Sequence, residues 1–403
     1  MNLSTLRRAA LLPSALALLL AAAACAPSTP DEPGPSESAP DSHGIDAGSA
    51  AEVASPALAL VTADAQGELT LLDLDTEERA VLAPGRAEAV FGDGRLVYRA
   101  HHTGAHTEVE VFDTARWTVP HGDHTHSFRG EPHLVGTLTG QGAVAVARGE
   151  QRATLGFDGG EVIVLAHDEL DAGLDDAPRM PVDAAGPVVS FAGHLLVPAA
   201  ASIAIIGPGG ATVAGAEVPC DGASDADVTR VGVVFTCADG AALFTREVGG
   251  AVTGESIPLP AEAEGATELS GRADRPDLAG VAGDQGAWLL DVRARRWGLI
   301  PSDVPLVRAV ALGDDANRTV ALDAEGRVRV LAPDGTVIAR TEPLLAASLH
   351  DPALRDRVHL IADAQHAYVS DPATGSVHEI DHGDGRLTRT FPDLDPWFLQ
   401  QVG

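Results

Sequence analysis

The sequence predicts an all-β fold, a β-propeller of eight blades with seven as the alternative count, and three observations predict it. Strand-like runs ending in polar or Gly-containing turns recur about every 40 to 50 residues from residue 55 onward, close to the length of a four-stranded blade. Apolar and polar residues alternate with period 2, while helical stripes of useful length are absent. The chain opens on part of a blade at Leu58-Ala59-Leu60-Val61 and closes on a lone strand-like piece, 396–402, so the last strand is expected to complete the first blade.

The clearest repeats are Gly67–Asp75, Thr107–Asp113, Gly286–Asp291, Gly326–Leu331 and Gly375–Asp381, with weaker copies near Gly160, Ser202 and Gly240. Aromatic residues make up only 4% of the chain, so its core must be built from Val, Leu, Ile and Ala.

Ahead of the repeats, Met1 to Arg8 is short and basic, and Ala9 to Ala24 is apolar and ends in small residues. This reads as a signal peptide over 1–24 rather than a membrane span, for which it is too short. Cys25 directly after Ala22-Ala23-Ala24 resembles a bacterial lipobox, with Cys25 the acylated residue; ordinary cleavage and release is the alternative. Residues 25–54 are rich in Pro, Ser, Asp, Glu and Gly and read as a disordered tether, with the propeller domain over 55–403. The protein is therefore expected on the extracytoplasmic face of the cell membrane, held by a lipid anchor.

The formal net charge is −31, and all 27 basic residues are arginine. Such a surface repels nucleic acid and anionic headgroups, which argues against a DNA- or RNA-binding role. With Cys25 taken by lipid, Cys220 and Cys237 remain, in an oxidising compartment and flanked by strand-like segments. A structural disulfide worth roughly 3 kcal/mol is expected there; two thiolate metal ligands are the alternative, although no Cys-x-x-Cys spacing supports them.

Seven of the 15 histidines fall within 33 residues: His101, His102, His106, His121, His124, His126 and His133. The centre of this cluster reads His121-Gly122-Asp123-His124-Thr125-His126, in a less regular stretch between the second and third repeats. Imidazole is a common zinc and copper ligand, carboxylate adds a hard oxygen donor, and His at i, i+2 in extended backbone puts two rings on one side. A metal site is expected. The competing readings are a solvated polar turn, for which Gly and Asp are well suited, and a pH-dependent contact. With imidazole and carboxylate donors and Met180 the only methionine after the signal peptide, the set suits Zn(II) better than Cu(I).

The His-Gly-Asp-His loop, the Cys220/Cys237 blade and the segment Tyr368-Val369-Ser370-Asp371-Pro372 through Asp381 together resemble AztD, a family of extracytoplasmic zinc metallochaperones with a propeller fold. The likeness runs from about residue 55 to the C-terminus. It implies a protein, most simply a monomer, that carries zinc as cargo and delivers it to the solute-binding protein of a zinc ABC transporter. It further implies His101 or His102, His121, Asp123, His124, His133 and His350 as ligands, with His106 and His126 as local replacements. Two departures stand out: Ala184-Ala185 where the family pattern has a histidine pair, and Ser224-Asp225 where it has a histidine after the first blade cysteine. The competing functions are an envelope interaction module without essential metal and a metal-dependent hydrolase. For the latter the chain shows no nucleophile elbow and no His-Glu-x-x-His.

Overall fold

The computed structural model describes residues 48–121, 124–260, 263, 265, 266 and 268–403; Cys25, Asp123 and the signal peptide lie outside them. Nine antiparallel sheets account for the described strands. Eight are successive blades and the ninth is an insertion within the second. The propeller is thus eight-bladed. No described helix is long and apolar enough to cross a membrane.

The first blade contains Ala59–Ala63, Leu69–Asp73 and Arg79–Ala83, and its innermost strand is Phe398–Val402 from the C-terminus. The two ends of the chain pair in register from Ala59↔Val402 to Ala63↔Phe398. The Trp397 amide extends this ladder by donating to the Ala63 carbonyl at 2.8 Å. Each inner strand leaves its neighbours' faces covered by the next blade, so the middle strands are apolar on both sides. Val233–Cys237 and Thr319–Asp323, for example, are buried throughout. Outer strands such as Arg79–Ala83 are mostly exposed.

The core is correspondingly distributed between blades. Tyr98, Val109 and Val111 of the second blade pack with Leu155, Ile163 and Leu165 of the third. Leu60, Leu72 and Leu399 of the first pack with Tyr368, Val377 and Phe391 of the eighth. Burying one such Leu or Phe contributes about 1.5–3 kcal/mol, so ring closure stabilises every seam. Among the described residues the sixth blade has three strands, Asp277–Val281, Gly286–Asp291 and Arg296–Pro301. Its inner edge is filled by Ser270, bridged to Ala279, while Gly271 bridges to Ala311 of the seventh blade.

Cys220 and Cys237 are bonded to each other (S–S 2.03 Å). Cys220 follows the outer strand of the fourth blade, Val218–Pro219, and Cys237 ends the second strand of the fifth, so the bond staples two blades at a seam that also holds Phe235 and Phe244.

One boundary expected from composition is corrected. Ala51–Val53, assigned to the tether, forms a strand paired with His124–Arg129. Three residues in a Ser- and Ala-rich surrounding carry no visible periodicity, and the pairing is supplied by the distant strand.

Two outcomes are expected from this architecture. Deleting residues 395–403 strips the innermost strand from the first blade and exposes a sheet edge; the melting temperature should fall and light scattering rise, and an unchanged melt would exclude closure by the C-terminus. Replacing both blade cysteines by Ala should lower the unfolding free energy by about 3 kcal/mol, the chain-entropy value for a loop of this length, measured by denaturant titration of the parent and the double variant.

Candidate metal centre

The histidine cluster does not form an irregular loop. Arg116–His121 and His124–Arg129 pair as a β-hairpin, from Arg116↔Arg129 to His121↔His124, and Ala51–Val53 joins its second strand to make a three-stranded sheet. This sheet is inserted between the third strand of the second blade, His106–Asp113, and its outer strand, His133–Gln141. Directly paired residues of an antiparallel ladder share a face. The Trp117↔Phe128 pair therefore lies on the face of His126 and His124, and Glu52, paired with Phe128, lies there too.

The root of the hairpin is held by charge and stacking. Asp73, buried at the end of a first-blade strand, accepts from Arg116 Nη2 at 3.1 Å and Arg129 Nη2 at 2.8 Å. Burial opposes ionisation of this carboxyl, but the Thr76 and Asp75 amides with the two arginines hold its pKa below the ordinary value. Arg95 binds Asp113 through both carboxylate oxygens and lies 3.7 Å over the Trp117 ring, which itself stacks on Phe128 at 5.1 Å. Gly130 allows the N-terminal segment past: a Cβ there would sit 3.2 Å from that of Ala50 and 3.3 Å from that of Ala115.

On this frame His124 and His126 face each other, with their Nε2 atoms 3.0 Å apart and ring centroids 4.8 Å apart. His124 is exposed; His126 is buried, and its Nδ1 meets Glu52 Oε1 at 2.6 Å. A carboxylate on Nδ1 selects the tautomer whose Nε2 carries a lone pair. Sequence reasoning missed Glu52, which sits among tether residues with no chemical signature of its own.

The other expected ligands are placed elsewhere, and among the described residues no group of three His, Cys, Asp or Glu could hold a metal ion. His101 Nε2 contacts Glu110 at 2.9 Å, and His102 Nδ1 donates to Thr107 Oγ1 at 2.9 Å. Both stand near the Thr103↔His106 end of their hairpin, whereas the insertion leaves from the opposite, Leu96↔Asp113, end. His106 is exposed beside them. His350 ends a short helix and donates to the Ala346 carbonyl of that helix. His133 donates to the Glu131 carbonyl at 3.1 Å and lines a small cavity with Arg95, Trp117, His167, Asp168 and Asp171. Of His121 only the backbone pairing with His124 is described, and Asp123 lies outside the described residues.

The two departures from the family pattern are also placed. Ala184 packs against the seam between the third and fourth blades. Asp225 belongs to the innermost strand of the fifth blade, Asp225–Val228, with Asp227 on the same face. Burial pushes Asp225 up to about 6, with nearby Glu268 adding to the rise, and pushes Asp227 up to about 7 against the opposing pull of Arg148.

Fold and site together define an eight-bladed propeller carrying a histidine-bearing hairpin on its second blade. Solved structures of AztD from Citrobacter koseri, one of them the apo form, share this fold at a TM-score of 0.69 and 17% identity, with 86% of this chain and 98% of theirs covered. The dihydro-heme d1 dehydrogenase NirN is similar at a TM-score of 0.50 and 16% identity, over 86% of this chain and 76% of that one. The resemblance to AztD expected from the sequence is thus borne out at the level of the fold. No family model and no curated protein matches the sequence.

Both inner-strand aspartates have folded pKa values above their ordinary 3.8. The stability this represents is present below about pH 4 and is lost as pH rises through about 6 to 7. Asp227→Asn should leave stability near pH 4 unchanged and raise it at pH 8, by about 1 kcal/mol after allowing for water screening of half-buried groups. Thermal melts of both proteins at the two pH values check this; equal gains at both would refute it.

Proposed function

We propose that this protein binds zinc as cargo through the inserted hairpin and passes it to the solute-binding protein of a zinc ABC transporter, held at the membrane by lipid on Cys25. The observation that carries this reading is the pair of imidazole nitrogens, His124 Nε2 and His126 Nε2, 3.0 Å apart with a carboxylate behind one ring. Two nitrogens on one tetrahedral zinc at about 2.0–2.1 Å lie about 3.3 Å from each other. The pair needs to open by only a few tenths of an ångström. His121 and Asp123, adjacent to the pair in the sequence, are the donors we assign to complete the set.

The donor chemistry favours Zn(II), and the resemblance to the AztD family supplies the transport setting. Zinc drawn between an exposed ring and a buried one can be released stepwise, because the exposed ligand exchanges with an incoming donor first. Binding requires neutral imidazole and releases protons, so affinity should fall on acidification.

His124→Ala with His126→Ala should weaken zinc binding at least 100-fold while leaving the melting temperature within a few degrees, since the inserted hairpin lies outside the blades and is anchored through Asp73, Arg95 and Trp117 rather than through these two rings. Competition against a chromogenic chelator, with metal content of the untagged protein measured in parallel, gives both numbers. A double variant that binds zinc like its parent removes the chemical basis of this reading.

A further inference from the structure

The strand that brings Glu52 to the metal centre is the least secured part of the insertion. Among the described residues Ala51–Val53 pairs with His124–Arg129 alone, through three residue pairs, Ala51↔Arg129, Glu52↔Phe128 and Val53↔Ser127. Ala51 is exposed, and Glu52 and Val53 are half-buried. A three-residue strand with so little apolar burial belongs to the part of a structure that opens at low free energy. The hairpin it covers is fixed differently, by Asp73 on Arg116 and Arg129 and by Arg95, Trp117 and Phe128. The strand can therefore leave without dismantling the hairpin.

Its departure has a chemical consequence. Glu52 is paired with Phe128, and His126 is two residues from Phe128 on the same face, so the 2.6 Å contact between Glu52 Oε1 and His126 Nδ1 is a diagonal contact that exists only while the strand is docked. A carboxylate on the far nitrogen of a ligating imidazole fixes ring orientation and tautomer and raises ligand basicity, and losing one typically costs 10–100-fold in metal affinity.

We propose that Ala51–Val53 is a detachable latch and Glu52 the positioning residue it carries: docked, it holds His126 in the metal-binding geometry; detached, it loosens the bound metal for handover. This rests on the zinc reading of the hairpin. The coupling is reciprocal, so bound metal must stabilise strand docking by the same factor by which docking strengthens metal binding. The strand also joins the segment leading from the N-terminus to the first blade's Ala59–Ala63 through 54–58, which places the latch where tension along that segment acts directly on the site.

The test uses the full chain after signal-peptide removal, with zinc as the probe. Glu52→Ala should weaken zinc binding 10–100-fold and speed zinc release to a chelator, while Glu52→Gln, which keeps an acceptor oxygen, should recover part of the loss. Hydrogen exchange supplies a readout independent of affinity: zinc should raise protection across 51–53 in the parent and fail to do so in Glu52→Ala. Melting temperatures within a few degrees of the parent exclude misfolding as the cause. If Glu52→Ala binds and releases zinc like the parent while the His124/His126 double variant does not bind, the latch is wrong and the metal centre stands. If neither variant changes zinc binding, the zinc reading fails and the latch falls with it.

Discussion

Everything in this molecule depends on the first blade being built from both ends of the chain. Until Phe398–Val402 pairs with Ala59–Ala63, the first and eighth blades lack a common seam, and Leu60, Leu72 and Leu399 have no partner in Tyr368, Val377 and Phe391. Because each blade covers the next, one open seam leaves two apolar faces in water, a cost of several buried side chains. Closure thereby makes eight small sheets into one cooperative unit. The same constraint bears on the sixth blade, where Ser270 and Gly271 lie beside the three strands seen among the described residues and carry the ladder on to the seventh.

Such a ring is rigid by construction, which restricts where a movable binding element can be put. Side chains within the middle strands are packed on both faces and cannot shift without opening a seam. An insertion between the third and outer strands of one blade escapes that restriction, since both of its ends are already held. The connection is nevertheless firm: Asp73 reaches from the first blade to both arginines at the base of the hairpin, and Arg95 grips Asp113 while stacking on Trp117. Closure, through the blade that carries Asp73, thus orients a hairpin that lies outside every blade.

What could be read from the sequence follows from how each element declares itself. Blade strands show alternation because one neighbouring blade after another imposes it, so the all-β class, the eight blades and the closing strand were legible. The hairpin was not, because the face that carries Trp117 and Phe128 continues with His124 and His126, where a strand is normally apolar. Its His-Gly-Asp-His turn has the spacing of a two-residue hairpin connection, a signal that the metal chemistry overshadowed. Glu52 was beyond reach for another reason. Its role exists only through pairing with a strand more than seventy residues away, and nothing within Ala51-Glu52-Val53 encodes that partner. His101, His102, His133 and His350 show the converse, since nearness in sequence or likeness of pattern did not bring them to the His124–His126 pair.

The asymmetry within that pair bears on how a cargo ion would move. His126 is buried and braced by Glu52, whereas His124 is exposed at the turn. Ligand exchange begins where an incoming donor can approach, so on the zinc reading His124 yields first and His126 last. An ion left on His126 is held by a ligand that Glu52 braces. Holding and releasing the ion then become two states of the same few residues, separated by whether a three-residue strand is docked, and neither state requires the propeller behind them to change.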